Sequence, residues 1–269
     1  MPTRRLALIT GASAGIGAEF ARQYAAMGWD IAITARRADR LQALASELEN
    51  KHGVAAIVIA QDLAQDAAVS LILEDLKAHG RHVDALINNA GYGLQGTFFT
   101  TTWDEQAKAN RVLWTAPLEL IHKLLPGMAA RGFGRIINVS SVLGYTAGSS
   151  GQTLYGPIKA ALIRASEALH AECQDAGHNI HVTALCPGLT DTEFHDVAGT
   201  RERAAEAPDW LWMQPGPVVE AGIEAVERGQ PVIVPGRVNK GITTLAKILP
   251  EPLGRAAMRA QSKRWRGAD

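Results

Sequence analysis

Tyr155 and Lys159 stand four residues apart at the start of a stretch of helix-forming composition, a spacing that sets both on one helix face. An ammonium beside a phenol favours the phenolate, so the pair predicts a Tyr155 pKa drawn below its reference of about 10. A phenol tuned in this way can give or take a proton near neutral pH. Such pairs are also common on solvated helix faces, so the meaning of this one depends on its company. Ser140 and Ser141 follow the apolar run Arg135–Val139, where a hydroxyl can hydrogen-bond a substrate carbonyl oxygen. Asn110 lies inside a helical stretch over 105–112, a mildly unfavourable place for asparagine, and is read either as a functional side chain or as a plain exposed helix residue.

A second cluster lies near the N-terminus. The apolar run Leu6–Thr10 enters Gly11-Ala12-Ser13-Ala14-Gly15-Ile16-Gly17, and a helical pattern follows from about Ala18. Glycines between a strand and a helix allow a tight turn and close backbone approach to a pyrophosphate, and the helix N-terminus offers free amides to it. The next strand candidate, Ile31–Thr34, ends in Ala35-Arg36-Arg37 with no acid at its tip; the first is Asp39. A carboxylate at this tip would select NAD, whereas a guanidinium accommodates a ribose 2′-phosphate, so NADP(H) is favoured, with Arg36 ahead of Arg37, and NAD(H) is the runner-up. The alternative is two solvated arginines. Ser13 is within reach of the same region. Asp62-Leu63 follow the third strand candidate and suit the adenine edge and face, although Asp62 is also a good helix N-cap. Asn88-Asn89-Ala90-Gly91 follow the fourth.

The elements that must carry these residues are short apolar runs separated by helical stretches: Leu6–Thr10, Ile31–Thr34, Ala55–Ala60, Ala85–Ile87, Arg135–Val139, Ile180–Leu185 and Pro231–Val234. Strands without alternation, separated by helices, predict a parallel sheet covered on both faces, a doubly wound α/β fold. The chain has 269 residues and 47% hydrophobic content, enough for one large core. Its formal net charge of zero gives no reason to expect nucleic acid. Two cysteines, Cys173 and Cys186, have neither metal-ligand nor disulfide-framework spacing. No signal-peptide pattern opens the chain and no run approaches the ~18–20 apolar residues of a membrane span, so a cytoplasmic protein is expected.

The ordered set of the glycine turn, Asp62, Asn88-Asn89-Ala90-Gly91, Asn110, Ser141, Tyr155-Gly156-Pro157-Ile158-Lys159 and Pro187-Gly188 resembles the short-chain dehydrogenase/reductase family, from about Leu6 to Thr192. The resemblance implies one Rossmann-type domain over 1–269, with a parallel seven-stranded sheet flanked by helices. It implies that Tyr155 is the general acid in reduction and the base in oxidation. Lys159 would hold the nicotinamide ribose and depress the Tyr155 pKa, Ser141 would polarise the substrate oxygen, and Asn110 would hold a relay water. Cofactor contacts are implied for Gly11, Ser13, Ala14, Gly15, Ile16, Gly17, Asp62, Leu63, Asn89, Ala90, Gly91, Tyr155, Lys159, Pro187, Gly188 and Thr192. The span from Ser141 to Tyr155 is one residue longer than usual in the family, which leaves Ser140 as the alternative hydroxyl. Ala14 stands where a basic residue would add an NADP signal.

A segment over about 190–214, ending in Trp210-Leu211-Trp212-Met213, is read as a substrate lid. With Leu94, Phe98, Leu143, Tyr145 and Phe194 it predicts a small apolar carbonyl or alcohol substrate; the alternative is that the aromatics only pack the lid down. Arg201 and Arg203 are unplaced candidates for a substrate carboxylate. The tail over 237–269 is basic, with interspersed apolar residues and breaks at Pro250 and Pro252. Two short helices are expected, with the apolar side packed on the body or on a subunit, ahead of peripheral membrane contact. Small residues along the helix after Tyr155, together with the resemblance, imply a homodimer or homotetramer. A non-catalytic NADP(H)-binding regulator is the competing function, and an intact Ser141–Tyr155–Lys159 set argues against it.

Overall fold

The computed structural model describes residues 4–94, 96–148, 150–151, 153–194 and 206–266, with side chains through residue 260. Seven parallel strands form one sheet in the order β3-β2-β1-β4-β5-β6-β7. They are β1 (Leu6–Thr10), β2 (Asp30–Ala35), β3 (Ala56–Ala60), β4 (Ala85–Asn88), β5 (Gly134–Val139), β6 (Ile180–Leu185) and β7 (Val232–Ile233). β1, β4 and β5 are buried along their whole length, which is why their sequences do not alternate.

The helices are α1 (Gly15–Ala26), α2 (Ala38–His52), α3 (Ala68–Ala78), α4 (Trp103–Asn110), α5 (Ala116–Arg131), α6 (Tyr155–Asp175), α7 (Pro215–Glu227), α8 (Arg237–Ile248) and α9 (Glu251–Arg266). One core gathers Phe20, Tyr24, Leu41, Leu48, Val218 and Val226 with one face of the sheet. The other gathers Val69, Ile72, Leu120, Met128 and Val182 with the opposite face. The chain therefore winds outward from β1 in one direction and from β4 in the other. The strand order reverses between these two, and their C-terminal ends open the crevice where such sheets bind ligands. Thr10 of β1 pairs with Thr34 of β2, Ile9 with Ile87 of β4, and Asn88 with Asn138 of β5, so the motif residues leave the sheet along one edge.

The tail forms two helices around Pro250, as expected, but α8 does not pack its apolar side inward. Its buried side chains are Asn239 and Thr243, while Ile242, Leu245 and Ile248 are exposed. The cause is polar: Asn239 Nδ2 donates to the Pro235 carbonyl at 3.0 Å, and Thr243 Oγ1 to the Asn239 carbonyl at 3.0 Å. Asn239 also lies against Gly188. Among the described residues, no helix is long and apolar enough to cross a membrane.

Candidate active site

The turn after β1 depends on its glycines. Gly11 and Gly15 have φ of 67° and 56°, left-handed values that favour glycine. A Cβ on Gly11 would stand 2.7 Å from the Ala90 Cα, and one on Gly17 would run into the Gly11 carbonyl oxygen. Asn89 staples this turn to β4, its Nδ2 donating to the carbonyls of Thr10 at 2.9 Å and Gly11 at 3.2 Å. The Thr10 hydroxyl accepts from the backbone amides of Asn89 and Ala90, both at 3.0 Å. At the start of α1, Ala14 gives no side-chain cap and the first turn holds no acid, so the leading amides are left for an anion. Ser13, Ala14 and Ile16 are half-buried along the turn.

Beyond it lie the residues expected to meet the adenosine. Arg36 is exposed and makes no hydrogen bond or ion pair among the described residues. Arg37 is engaged: its Nε and Nη2 donate to the Ser13 hydroxyl at 3.2 and 2.9 Å, and its Nη1 to Glu193 Oε2 at 2.9 Å. Arg40 takes the other Glu193 oxygen. The Arg40 and Arg37 guanidiniums together hold the Glu193 carboxyl below the usual range. Asp62 caps its own turn, accepting from the Ala64 amide at 3.0 Å, and Leu63 is buried in the second core.

At the opposite end, Tyr155 opens α6. Pro157 is tolerated because the first turn of a helix has no use for its missing amide. Ser141 Oγ accepts from the Leu143 amide at 3.2 Å, and it stands close enough to the Tyr155 hydroxyl to draw the phenol's pKa down. Ser140 is turned away, its buried hydroxyl donating to the Lys159 carbonyl at 2.7 Å. The geometry thus sets Ser141, rather than Ser140, against Tyr155.

Lys159 is buried, its ammonium donating to the Val139 carbonyl at 2.7 Å and lying 5.5 Å from the Tyr155 ring centroid. Burial lowers its pKa to about 8, against a smaller opposing influence of Cys186. The expected depression of Tyr155 is not what the structure shows. Burial pushes the phenol up and outweighs the opposing influence of Ser141, because the Lys159 ammonium is directed at a carbonyl rather than at the phenol oxygen.

Asn110 is half-buried and ends α4, and a single π-helical turn, Arg111–Thr115, follows at once. Such turns collect at functional sites, and composition alone gives no sign of them. This one brings Leu113 against Gly91, where a Cβ would stand 2.8 Å from Leu113 Cδ2.

A buried polar chain also escaped sequence reasoning. Asn88 Nδ2 donates to Asn138 Oδ1 at 2.9 Å, Asn138 Nδ2 to Ser166 Oγ at 2.9 Å, and Ser166 Oγ to the Leu162 carbonyl at 2.7 Å. It pins α6, and with it Tyr155 and Lys159, to β4 and β5. Two asparagines in register on neighbouring strands were the available signal.

Beside Tyr155 a cleft is lined by Tyr92, Leu94, Phe98, Leu113 and Leu154. Leu94 and Phe98 were expected there; Tyr92, Leu113 and Leu154 were not. Tyr145 packs with Ile163, Ala184 and Cys186. Phe194 lies 6.0 Å from the Tyr155 ring, centroid to centroid. Thr192 covers Gly15, where a Cβ would come within 2.9 Å of it. The Pro187 carbonyl accepts from the Val142 amide at 3.0 Å. Trp210 is 65% exposed, and Met213 packs on the first core. The remainder of the expected lid, 195–205, including Arg201 and Arg203, lies outside the described residues. No group of three or more metal-ligating side chains occurs among the described residues.

The family model for short chain dehydrogenases matches residues 5–203. The chain is 32% identical over 196 residues to a 3-oxoacyl-[acyl-carrier-protein] reductase of Aquifex aeolicus, covering 72% of this chain and 77% of that protein. It is 30% identical over 256 residues to a fatty acyl-CoA reductase of Mycobacterium tuberculosis, covering 92% and 82%. Among solved structures it is similar to a short-chain dehydrogenase from Sphingobium yanoikuyae in complex with NADPH, with a TM-score of 0.78 at 30% identity, covering 92% of this chain and 97% of that one.

Proposed function

The chain belongs to the short-chain dehydrogenase family, and from that premise we propose that it is an NADP(H)-dependent oxidoreductase that interconverts an apolar ketone or aldehyde with its alcohol. The observation that carries the reading is the Tyr155 phenol set beside Ser141 and the buried Lys159, next to an apolar cleft. A relative that reduces 3-oxoacyl groups and another that reduces fatty acyl-CoA support an apolar carbonyl.

The residues present fit a dinucleotide. The glycine turn leaves no room for a Cβ, the α1 amides are uncapped, and Arg36 is unpaired among the described residues. Gly11, Gly15, Ile16 and Gly17 would hold the pyrophosphate, Asp62 and Leu63 the adenine side, and Asn89, Ala90 and Gly91 the middle of the groove. Lys159, Pro187, Gly188 and Thr192 would hold the nicotinamide end. Ser13, Arg36 and Arg37 would take the 2′-phosphate, a reading supported by the unpaired guanidinium of Arg36 among the described residues and the lack of an acid at the β2 tip. When bound, the cofactor supplies the hydride.

The chain's own residues handle the oxygen and its proton. The Ser141 hydroxyl donates to the carbonyl oxygen, and Tyr155 delivers its phenolic proton to that oxygen as the carbon is reduced. A Lys159 ammonium drawn from Val139 toward the ribose would come nearer the phenolate left behind, and so favour it. Asn110, at the π-turn, would hold the water through which the proton is replaced.

Following NADPH and NADH oxidation across apolar ketones, aldehydes and 3-oxoacyl compounds tests the reading. Turnover with NADPH on one of these classes is expected. Intact NADPH binding without turnover on any of them would sink it.

A further inference from the structure

The segment that follows β6 reaches back along the whole groove. Within three consecutive residues, Thr192 covers Gly15, Glu193 binds Arg37 and Arg40, and Phe194 packs on the Tyr155 ring. The middle contact joins elements far apart in sequence. Glu193 shares the Arg37 guanidinium with the Ser13 hydroxyl, each taking a different edge: Nη1 goes to Glu193 at 2.9 Å, and Nε with Nη2 go to Ser13. A carboxylate is a weaker version of what a 2′-phosphate would be at the same place, an anion offering oxygens to a planar fork of donors.

We propose that Glu193 is a specificity-determining residue that competes with the cofactor's 2′-phosphate for Arg37 and so sets how strongly the protein prefers NADPH to NADH. The proposal rests on the assignment of Ser13, Arg36 and Arg37 as the phosphate seat. In the structure the seat is partly neutralised by the protein's own carboxylate. A 2′-phosphorylated ligand must take over the Nη1 edge or bind beside a like charge, whereas a ligand with a bare 2′-hydroxyl faces neither cost. Arg40 strengthens the competitor by holding its second oxygen.

The test is calorimetric binding of adenosine 2′,5′-bisphosphate and of 5′-AMP to the wild type and to Glu193→Gln, with circular dichroism to show that both are folded. Glu193 is half-buried at the surface, and the amide keeps its size, so folding is not at stake. The variant is expected to bind the bisphosphate roughly 5- to 10-fold more tightly, about one charge-assisted bond by the tenfold-per-1.4 kcal/mol rule, with 5′-AMP changed less than about twofold. A wild type that prefers the bisphosphate, with the same ratio in Glu193→Gln, would overturn the competition while leaving the phosphate seat in place. If neither protein distinguishes the two ligands, the seat itself is wrong and the competition goes with it. A ratio that falls in the variant would also overturn the proposal, since Glu193 would then be orienting Arg37 for the phosphate rather than opposing it.

Discussion

The two ends of the groove are built from the same kinds of polar group and behave differently because their charged side chains are buried at one end and exposed at the other. At the catalytic end Lys159 and Ser140 are buried, and their hydrogen bonds run to backbone carbonyls of the sheet and of α6. Desolvation there moves the lysine down to about 8 and the Tyr155 phenol up. At the adenosine end Arg37, Arg40 and Glu193 pair through side chains about two-fifths exposed, where solvent screens the charges and each pair contributes little to stability. One end has fixed geometry and a desolvated amine and phenol; the other has exposed, exchangeable partners. Chemistry needs the first and ligand selection the second.

The largest effect should come from the phenol. Tyr155→Phe removes the proposed proton donor and leaves the ring that packs on Phe194, so turnover should fall by about 10²–10⁴-fold, the usual worth of a positioned acid. NADPH affinity should stay within a few-fold. Rate measurements beside a fluorescence titration would decide it, and a variant retaining a tenth of wild-type turnover would break the contrast by showing that the buried end supplies no acid.

Lys159 sharpens the comparison through stability. Its amine has a pKa near 10.5 when exposed and about 8 in the fold, so between those values the unfolded chain holds the proton and the native chain does not. The native state is therefore penalised below pH 8, by about 3 kcal/mol at the full shift, and the penalty fades as pH rises toward 10.5. Urea denaturation at pH 7.5 and 10 should show the wild type gaining on Lys159→Met across that interval. Parallel pH profiles for the two proteins would mean that the ammonium is solvated after all.

How much of this was legible beforehand follows the same division. The strand run Leu6–Thr10 coincides with β1 because a fully buried parallel strand must be predominantly apolar, and Ile180–Leu185 coincides with β6. Gly11 and Gly15 were readable because left-handed backbone favours one residue type. The sequence could not show which way a side chain turns once the backbone is placed. Ser140 and Ser141 are adjacent and alike, and only the fold sends one to Lys159 and the other to Tyr155. Pairing Tyr155 with Lys159 by their spacing predicted a depressed phenol, yet spacing carries no information about the Val139 carbonyl that claims the ammonium. The π-turn after Asn110 and the inward-facing Asn239 of α8 are choices of tertiary contact, for which local propensity has no term.

At the exposed end the expected effects are smaller and concern the ligand. Arg36→Ala should weaken NADPH binding roughly 10- to 100-fold, the range for one hydrogen bond to a charged partner, and leave NADH within about twofold. Equal losses for both cofactors would move the phosphate contact elsewhere.

The mildest perturbation is salt, and it separates the ends without altering a residue. Raising ionic strength from about 0.1 to 1 M shortens the Debye length from about 10 to 3 Å. Exposed guanidinium–phosphate attraction should weaken with it, so the KM for NADPH should rise a few-fold. The Lys159 ammonium and its carbonyl are out of reach of ions, so turnover at saturating cofactor and substrate should hold steady. Competition from Glu193 for Arg37 is screened as well, so the salt slope for NADPH should be shallower in the wild type than in Glu193→Gln, where the phosphate alone answers the guanidinium. A kcat that falls with salt while KM stays flat would invert the comparison, placing the exchangeable charges at the catalytic end.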